Sequence, residues 1–151
     1  PRAMAGRAVD LGCGNGALAL ALAARNPELE ILGVDISYQA VASARRNAAS
    51  AGFDAARVAF EVADGLTEAP RDSFDLVVCN PPFHQDHTVG DQLAWGMLHQ
   101  ARRLLAPEGR LLVVGNRHLG YHIKLRRLYG EVRILASDRR FVVLESGIEA
   151  S

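Results

Sequence analysis

Residues 7–16 decide the fold, and they read Arg7-Ala8-Val9-Asp10-Leu11-Gly12-Cys13-Gly14-Asn15-Gly16. A short apolar run gives way to three glycines, and an Ala/Leu-rich stretch follows as far as Arg25. Glycine lets a backbone turn sharply and approach a ligand closely, and the start of a helix presents free N–H groups. The stretch therefore predicts a strand, a ligand-binding loop and a helix, which is how many α/β folds begin.

The rest of the chain alternates short apolar runs with longer helical stretches. Such alternation is typical of a mostly parallel sheet covered on both faces. We predict an α/β fold of Rossmann-like type, doubly wound, whose seven-stranded sheet is mostly parallel and has an antiparallel last strand. The predicted strands are 7–11, 30–35, 58–62, 74–79, 110–115, 132–136 and 140–145, and the predicted helices are 16–25, a stretch capped by Ser37, 91–105 and 120–129.

Length, composition and charge set further limits. The 151 residues suffice for one domain, so residues 1–151 are expected to form a single catalytic domain. Two cysteines are too few for a disulfide scaffold, and with no signal peptide or long apolar span the sequence predicts a cytoplasmic protein away from membranes. The formal net charge is zero, but the stretch from His99 to Arg140 holds ten Arg or Lys and three acids. That imbalance fits either a polyanionic partner or a solvated face.

Carboxylates placed around the glycine loop indicate an adenosine-containing cofactor. Asp35 ends the second predicted strand, where a carboxylate can bind both hydroxyls of a ribose. Gly12, Gly14 and Ala17 also fit the dinucleotide fingerprint, and a tight turn without a ligand is the plain alternative. Asp10, before the glycines, and Asp64, after the third strand, favour S-adenosyl-L-methionine, because they suit its amino acid end and its adenine amino group.

A second motif follows the fourth predicted strand and reads Asn80-Pro81-Pro82-Phe83-His84-Gln85. Prolines offer carbonyl oxygens without N–H donors, and their φ angles are nearly fixed. With the side-chain carbonyl of Asn80, they form fixed acceptors for a planar nitrogen that carries two N–H bonds. Phe83 adds a flat apolar face for a ring. The motif therefore predicts a pocket for an exocyclic amino group or an amide, although a rigid loop that ends a strand is the alternative.

A metal site is not predicted from the histidines that follow this motif. His84, Asp86 and His87 provide at most three ligands, and no fourth is evident.

Lys124, Arg126 and Arg127 form a cluster on one predicted helix that suits phosphates. Arg117 follows the fifth strand on the ligand side of the sheet and is a candidate for phosphate or base contact.

The two motifs resemble those of the class I S-adenosylmethionine-dependent methyltransferases. Residues 10–16 resemble their first motif, and residues 80–83 resemble the motif of members that methylate planar nitrogens. With Asn116-Arg117-His118-Leu119, Tyr121 and Lys124-Leu125, the sequence is most similar to the ribosomal RNA guanine-N2 methyltransferases. The similarity is greatest to the large-subunit type, and the small-subunit type is a relative. Those families carry an additional N-terminal domain, so residues 1–151 are expected to correspond to their C-terminal catalytic domain.

The resemblance assigns roles to residues across the chain. It implies acceptor-binding and catalytic roles for Asn80, Pro81, Pro82 and Phe83. It implies cofactor contacts for Asp10, Gly12, Gly14, Asn15, Gly16, Asp35, Ile36, Asp64, Gly65 and Asn80. It implies RNA contacts for His84, Gln85, Arg117, Lys124, Arg126 and Arg127.

The resemblance also implies a monomeric enzyme that acts on ribosomal RNA, of the large subunit by the closer similarity. Three alternatives remain open at this point. One is the same chemistry on a glutamine amide of a release factor or on adenine N6. Another is a non-catalytic module that binds the cofactor or RNA. The third is a nicotinamide-dependent enzyme.

Overall fold

The structure is a computed structural model that describes residues 6–81, 88–116 and 120–147, with the side chains of 88–91 and 93 left aside. The chain forms two compact units, Pro1–Glu68 and Ala69–Ser151. Within the described ranges, no helix has the length and apolar character needed to cross a membrane.

The first unit alternates three parallel strands with two helices. Its elements are β1 (Gly6–Leu11), α1 (Ala17–Arg25), β2 (Leu29–Asp35), α2 (Tyr38–Ser50) and β3 (Val58–Val62). The strands lie in the order β3-β2-β1. Leu11 pairs with Val34, and Asp35 pairs with Val62, so the three strands end together at one edge. The residues that follow them are therefore neighbours at that edge.

Local sequence signals determine both helices of this unit. Ser37 caps α2 as predicted, because its hydroxyl accepts the Ala40 N–H at 3.1 Å. The sequence predicts an apolar face of Ala40, Val41, Ala44 and Ala48 on α2; the last three are buried, and Ala40 is partly exposed. At the end of α1, the Arg57 guanidinium donates to carbonyls of Ala23, Asn26 and Pro27. A cation placed at a helix C-terminus stabilises it by satisfying its free carbonyls.

The second unit contains four strands and two helices. Its elements are β4 (Phe74–Cys79), α3 (Thr88–Leu104), β5 (Leu105–Asn116), α4 (Tyr121–Tyr129), β6 (Arg133–Ser137) and β7 (Phe141–Gly147). The strands lie in the order β4-β5-β7-β6. β4 and β5 are parallel, whereas β7 runs antiparallel to both β5 and β6. The Tyr129 hydroxyl donates to the Leu98 carbonyl at 3.0 Å and joins the end of α4 to α3.

The predicted boundary between the third helix and the fifth strand was wrong. The helix ends at Leu104 rather than 105, and β5 begins at Leu105 rather than 110. Pairing with β4 passes from Phe74–Leu105 to Leu76–Arg110, so the intervening residues form an irregularity in β5. Glu108 adopts a positive φ of 66° there. The Pro107-Glu108-Gly109 turn thus exists, but it interrupts a strand instead of preceding one.

Seven strands and four helices are found among the described residues, and the last strand is antiparallel. They confirm the predicted fold class, which is α/β, Rossmann-like and doubly wound, with a mostly parallel seven-stranded sheet. The strands 58–62 and 74–79 have the predicted bounds, and the bounds of the other strands differ from the prediction by at most two residues, except at the start of β5.

Candidate functional site

The glycine loop between β1 and α1 is folded over the end of β2. The N–H groups of Gly12 and Cys13 both donate to the Val34 carbonyl at 2.9 Å, and Gly16 N–H donates to Cys13 at 3.0 Å. Gly12, Gly14 and Gly16 have φ angles of 77°, 55° and 84°. Other residues rarely adopt these angles, which explains why glycine occupies all three positions.

Asp35, predicted to bind a ribose, also holds this loop. Its Oδ2 accepts the Gly14 N–H and its Oδ1 accepts the Ser37 N–H, each at 2.9 Å. The carboxylate therefore links the glycine loop to the start of α2. A carboxylate has about four acceptor positions, so each oxygen keeps capacity for a further donor such as a ribose hydroxyl.

Asp10 is a buried acid, only 2% exposed. Burial, and secondarily the negative charge of Asp35, raise the pKa of Asp10 to about 7. Within the described ranges, no hydrogen-bond donor reaches its carboxylate. A buried carboxylate is costly to ionise without a partner, so this residue favours a cationic group near it.

Apolar and acidic residues at the same strand ends fit an adenosine. Ile36, directly after Asp35, is 71% exposed, and Tyr38 is 79% exposed. Asp64 is exposed just after β3, and Gly65 beside it has a φ of 71°. At the carboxyl edge of its strands, the first unit thus presents the glycine loop, an exposed apolar side chain and acidic side chains. These residues fit the predicted cofactor, S-adenosyl-L-methionine.

Three residues that support the loop were missed in the sequence. Asn47 of α2 donates to the Asn15 carbonyl at 3.0 Å. A Cβ added to Gly33 would lie 2.5 Å from the Phe60 ring and 2.9 Å from Cys13 Cβ, so the loop packs on a strand position that admits only glycine. A glycine inside a strand often marks such a close approach and was the available signal. No pattern in the sequence pointed to Asn47.

The second motif begins where β4 ends in the second unit. Residues 76–79 are all buried, whereas Asn80 is exposed and Pro81 is buried. The Asn80 side chain makes no hydrogen bond to another residue that the structure describes. Its amide is therefore available to a ligand at the carboxyl end of the strand, where α/β folds bind ligands. Pro82, Phe83, His84 and Gln85 lie outside the described residues.

The predicted RNA-contacting residues fall in different settings. Lys124 is half-buried, with its ammonium 5.6 Å from the centre of the Tyr121 ring. Arg126 and Arg127 are exposed in the last turn of α4, where positive charge also favours the helix C-terminus. Arg117 lies outside the described residues. Nothing in these contacts tests RNA binding, so these roles stay predictions.

Metal and thiol chemistry have little support in the described part of the chain. It contains no group of three or more His, Cys, Asp or Glu placed to hold a metal ion. His84, Asp86 and His87 lie outside it. Cys13 and Cys79 are free and buried. Burial, followed by the charges of Asp10 and Asp35, raises the pKa of Cys13 to about 12, so its thiol is a poor nucleophile near neutral pH.

Comparison with known proteins determines the family. The sequence profile of the methyltransferase small domain matches residues 1–145. The chain belongs to that family. The predicted membership of the methyltransferases is thereby confirmed. Curated relatives confirm the predicted similarity to the ribosomal RNA enzymes of the large subunit.

Among curated relatives of this methyltransferase domain is the ribosomal RNA large subunit methyltransferase G of Pseudomonas paraeruginosa. It is 53% identical over 141 residues, which is 93% of this chain and 37% of the relative. The protein of that name from Streptomyces avermitilis is 52% identical over 140 residues, or 93% of this chain and 36% of its own length. The chain thus spans little more than a third of the relatives it matches.

A solved structure of similar fold is the 16S ribosomal RNA N2-guanine methyltransferase of T. thermophilus, in complex with AdoMet and guanosine. It superimposes with a TM-score of 0.79 at 27% identity and covers 97% of this chain and 38% of the other. The predicted fold therefore agrees with that of a methyltransferase over nearly the whole chain.

Proposed function

We propose that this chain transfers the methyl group of S-adenosyl-L-methionine to the exocyclic N2 of a guanine in ribosomal RNA. The observation that carries the proposal is the exposed amide of Asn80, which makes no hydrogen bond to another residue that the structure describes, followed by Pro81 at the end of a buried strand. In a member of the methyltransferase small domain family, two fixed acceptors at this position suit an amino group that is to be methylated.

The first unit supplies the residues for the cofactor. Asp10 pairs with the ammonium of its amino acid end, Asp35 accepts from the ribose, and Ile36 presents an apolar face to the adenine. Asp64 accepts from the adenine amino group, and the glycine loop lets the backbone approach. When bound, S-adenosyl-L-methionine supplies an electrophilic methyl group on a sulfonium.

The second unit supplies the residues for the acceptor. The lone pair of a guanine amino group is delocalised into the ring, so the nitrogen is a poor nucleophile. Asn80 Oδ1 and the Pro81 carbonyl accept its two N–H bonds, which orients the nitrogen and increases its electron density. The Pro81 carbonyl stands between two prolines with restricted backbone angles, so this acceptor needs little reorganisation when the base arrives.

The residues that follow Asn80 and Pro81 in the sequence complete the proposal. Phe83 stacks on a base that has left its helix, and His84 is a candidate to take the proton that the nitrogen sheds. The substrate we propose is large-subunit ribosomal RNA, because the relatives at 52–53% identity carry that name. We further propose that the protein acts as a monomer in the cytoplasm.

A methylation assay tests this function. The chain is incubated with labelled S-adenosyl-L-methionine and unmodified ribosomal RNA, and the digested RNA is analysed by mass spectrometry. We expect N2-methylguanosine as the labelled nucleoside. Label on adenine N6, or on a glutamine of added release factor, contradicts the proposal and selects the alternative acceptor. Cofactor binding without any transfer would indicate a non-catalytic module.

A further inference from the structure

The turn between β6 and β7 lies at the same edge of the sheet as Asn80. We name residues 138–141 the hairpin tip. Phe141 pairs with Asn116, the last residue of β5, and Val113 of β5 pairs with Cys79, the last residue of β4. With neighbouring strands about 4.8 Å apart and residues rising about 3.3 Å, Phe141 lies roughly 12 Å from Asn80. A single-stranded RNA chain spans that distance in a few nucleotides.

The backbone of the hairpin tip is held by its own aspartate. Asp138 Oδ1 accepts the N–H groups of Arg140 and Phe141, each at 2.7 Å. The Asp138 N–H in turn donates to the Phe141 carbonyl at 2.9 Å. The tip is therefore ordered before a ligand arrives, so binding there costs little conformational entropy.

The hairpin tip carries two arginines and one aspartate, so its net charge is positive. Arg139 and Arg140 are exposed, and neither forms an ion pair with another residue that the structure describes. By contrast, Arg110 of β5 and Arg133 of β6 both contact Glu145 of β7, at 2.8 and 3.2 Å. The two arginines of the tip thus remain available to phosphates.

An aromatic ring accompanies this charge. Phe141 is 45% exposed, although a phenylalanine on a strand is ordinarily buried. A flat ring beside two guanidinium groups is the combination that binds single-stranded RNA, since bases stack on the ring and phosphates contact the arginines. The net positive charge of the tip favours this occupant over an apolar protein surface.

We propose that the hairpin tip binds a single-stranded RNA segment a few nucleotides from the target guanine. The inference rests on the proposed function and adds a second contact surface to it. The tip positions the RNA chain while Asn80 and Pro81 hold the base. Arg139 and Arg140 contact phosphates, and Phe141 stacks on a base.

Charge reversal tests the arginines. Arg139→Glu and Arg140→Glu are compared with Arg71→Glu, a matched reversal at an exposed residue that precedes β4 and so lies toward the opposite edge. We expect each tip variant to raise the KM for RNA about tenfold at low salt, with kcat and cofactor affinity unchanged. Each lost phosphate contact also lowers the slope of log Kd against log salt by about 0.7. Tip variants that behave like Arg71→Glu overturn the proposal.

Phe141 is tested separately by loss and restoration of the ring. Phe141→Ala is expected to weaken RNA binding about 5- to 150-fold, the range for one stacked base, with no change in the salt slope. Phe141→Tyr should bind as the wild type does. If alanine and tyrosine bind equally well, stacking is excluded.

Direct binding separates this inference from the proposed function. Fluorescence anisotropy with a labelled single-stranded RNA measures the tip without any methyl transfer. If the wild type fails to methylate guanine but the tip variants lose RNA affinity, the function is wrong and the surface is right. If methylation is confirmed and the tip variants match the control, only the surface is wrong.

Discussion

The N–H of Gly14 donates to Asp35 Oδ2 at 2.9 Å, which joins the glycine loop to the end of β2 across 21 positions of the sequence. The other oxygen of Asp35 accepts from Ser37. One carboxylate therefore holds the glycine loop and the residue that caps α2. It also stands where the ribose is predicted to bind. Its loss should affect stability and cofactor binding together.

Replacing Asp35 tests this double role. Asp35→Ala removes two hydrogen bonds to a charged acceptor, which destabilises the fold. It also removes the repulsion between the Asp35 and Asp10 carboxylates, which offsets part of that loss of stability. We expect the free energy of unfolding to fall by about 2 kcal/mol, and by less in Asp35→Asn, which keeps one acceptor oxygen. Both variants should bind S-adenosyl-L-methionine at least about tenfold more weakly. Urea unfolding measures the change in stability, and calorimetry measures the change in affinity.

Glu30 provides the matched control, since it is an exposed acid on the same strand. Glu30→Gln should change stability by no more than about 0.5 kcal/mol and leave cofactor affinity intact. If Asp35→Ala proves as harmless as this substitution, the two hydrogen bonds do not hold the loop.

Asp10 makes cofactor binding depend on pH. Its pKa near 7 leaves the carboxyl largely protonated at pH 6, whereas a bound ammonium favours the ionised form. We expect affinity for S-adenosyl-L-methionine to rise between pH 6 and 8, with proton release on binding at pH 6. Calorimetry in two buffers of different ionisation enthalpy measures that release. Asp10→Asn should bind weakly at every pH and release no proton through this site.

The same residue affects the stability of the free protein in the opposite direction. Its pKa is raised from 3.8 to about 7 on folding, so the folded form holds a proton that the unfolded form gives up. The contribution of Asp10 to the free energy of unfolding is therefore fully present below pH 4 and is lost as pH rises through 7. The loss amounts to roughly 4 kcal/mol at most. Asp10→Asn should remove this decline and be more stable than the wild type at pH 8. An unchanged pH profile of unfolding contradicts the shift.

Local signals made much of the fold predictable. The Ser37 cap, the apolar face of α2 and the glycines of the first loop depend on residues a few positions apart, and all three agree with the structure. The start of β5 depends instead on pairing between Phe74 and Leu105. That contact joins residues distant in sequence, so the turn residues Pro107-Glu108-Gly109 gave a misleading boundary.

The candidate site likewise contains residues that the sequence predicts and contacts that only the structure shows. Asp10, Asp35 and Asn80 stand directly at strand ends, and the chemistry of each could be inferred from its position. The second role of Asp35 and the contact from Asn47 to Asn15 required the folded chain, because 32 positions separate those two asparagines. Sequence pattern thus singled out candidate ligand-binding residues, whereas the residues that hold them in place became evident only in the folded chain.

Asn80 should separate catalysis from cofactor binding. Asn80→Ala removes one of the two acceptors for the amino group, and loss of one preorganised hydrogen-bonding group typically costs roughly 10²- to 10³-fold in kcat. The affinity for S-adenosyl-L-methionine should stay within about threefold, because Asn80 is expected to act mainly on the acceptor. Asn80→Asp keeps an acceptor oxygen and should retain more activity than alanine. Single-turnover methylation of RNA measures the difference, and equal rates for wild type and alanine would exclude the proposed role.

Gly33 and Phe60 together set the height of the glycine loop above the sheet. In Gly33→Ala the new methyl group would meet Phe60 at 2.5 Å and Cys13 Cβ at 2.9 Å. Overpacking of this kind costs about 1–3 kcal/mol, and since Cys13 belongs to the loop, cofactor affinity should fall as well.

A second substitution and a control distinguish this steric effect from a general loss of folding. Phe60→Leu makes room for the methyl group, so the double variant should be more stable than the two single effects predict, by at least about 0.5 kcal/mol. Gly96 lies in α3 with open space around its Cα, so Gly96→Ala should be neutral or stabilising by up to about 1 kcal/mol. Urea unfolding measures all four variants. Strict additivity of Gly33→Ala and Phe60→Leu would show that the ring does not set the position of the loop.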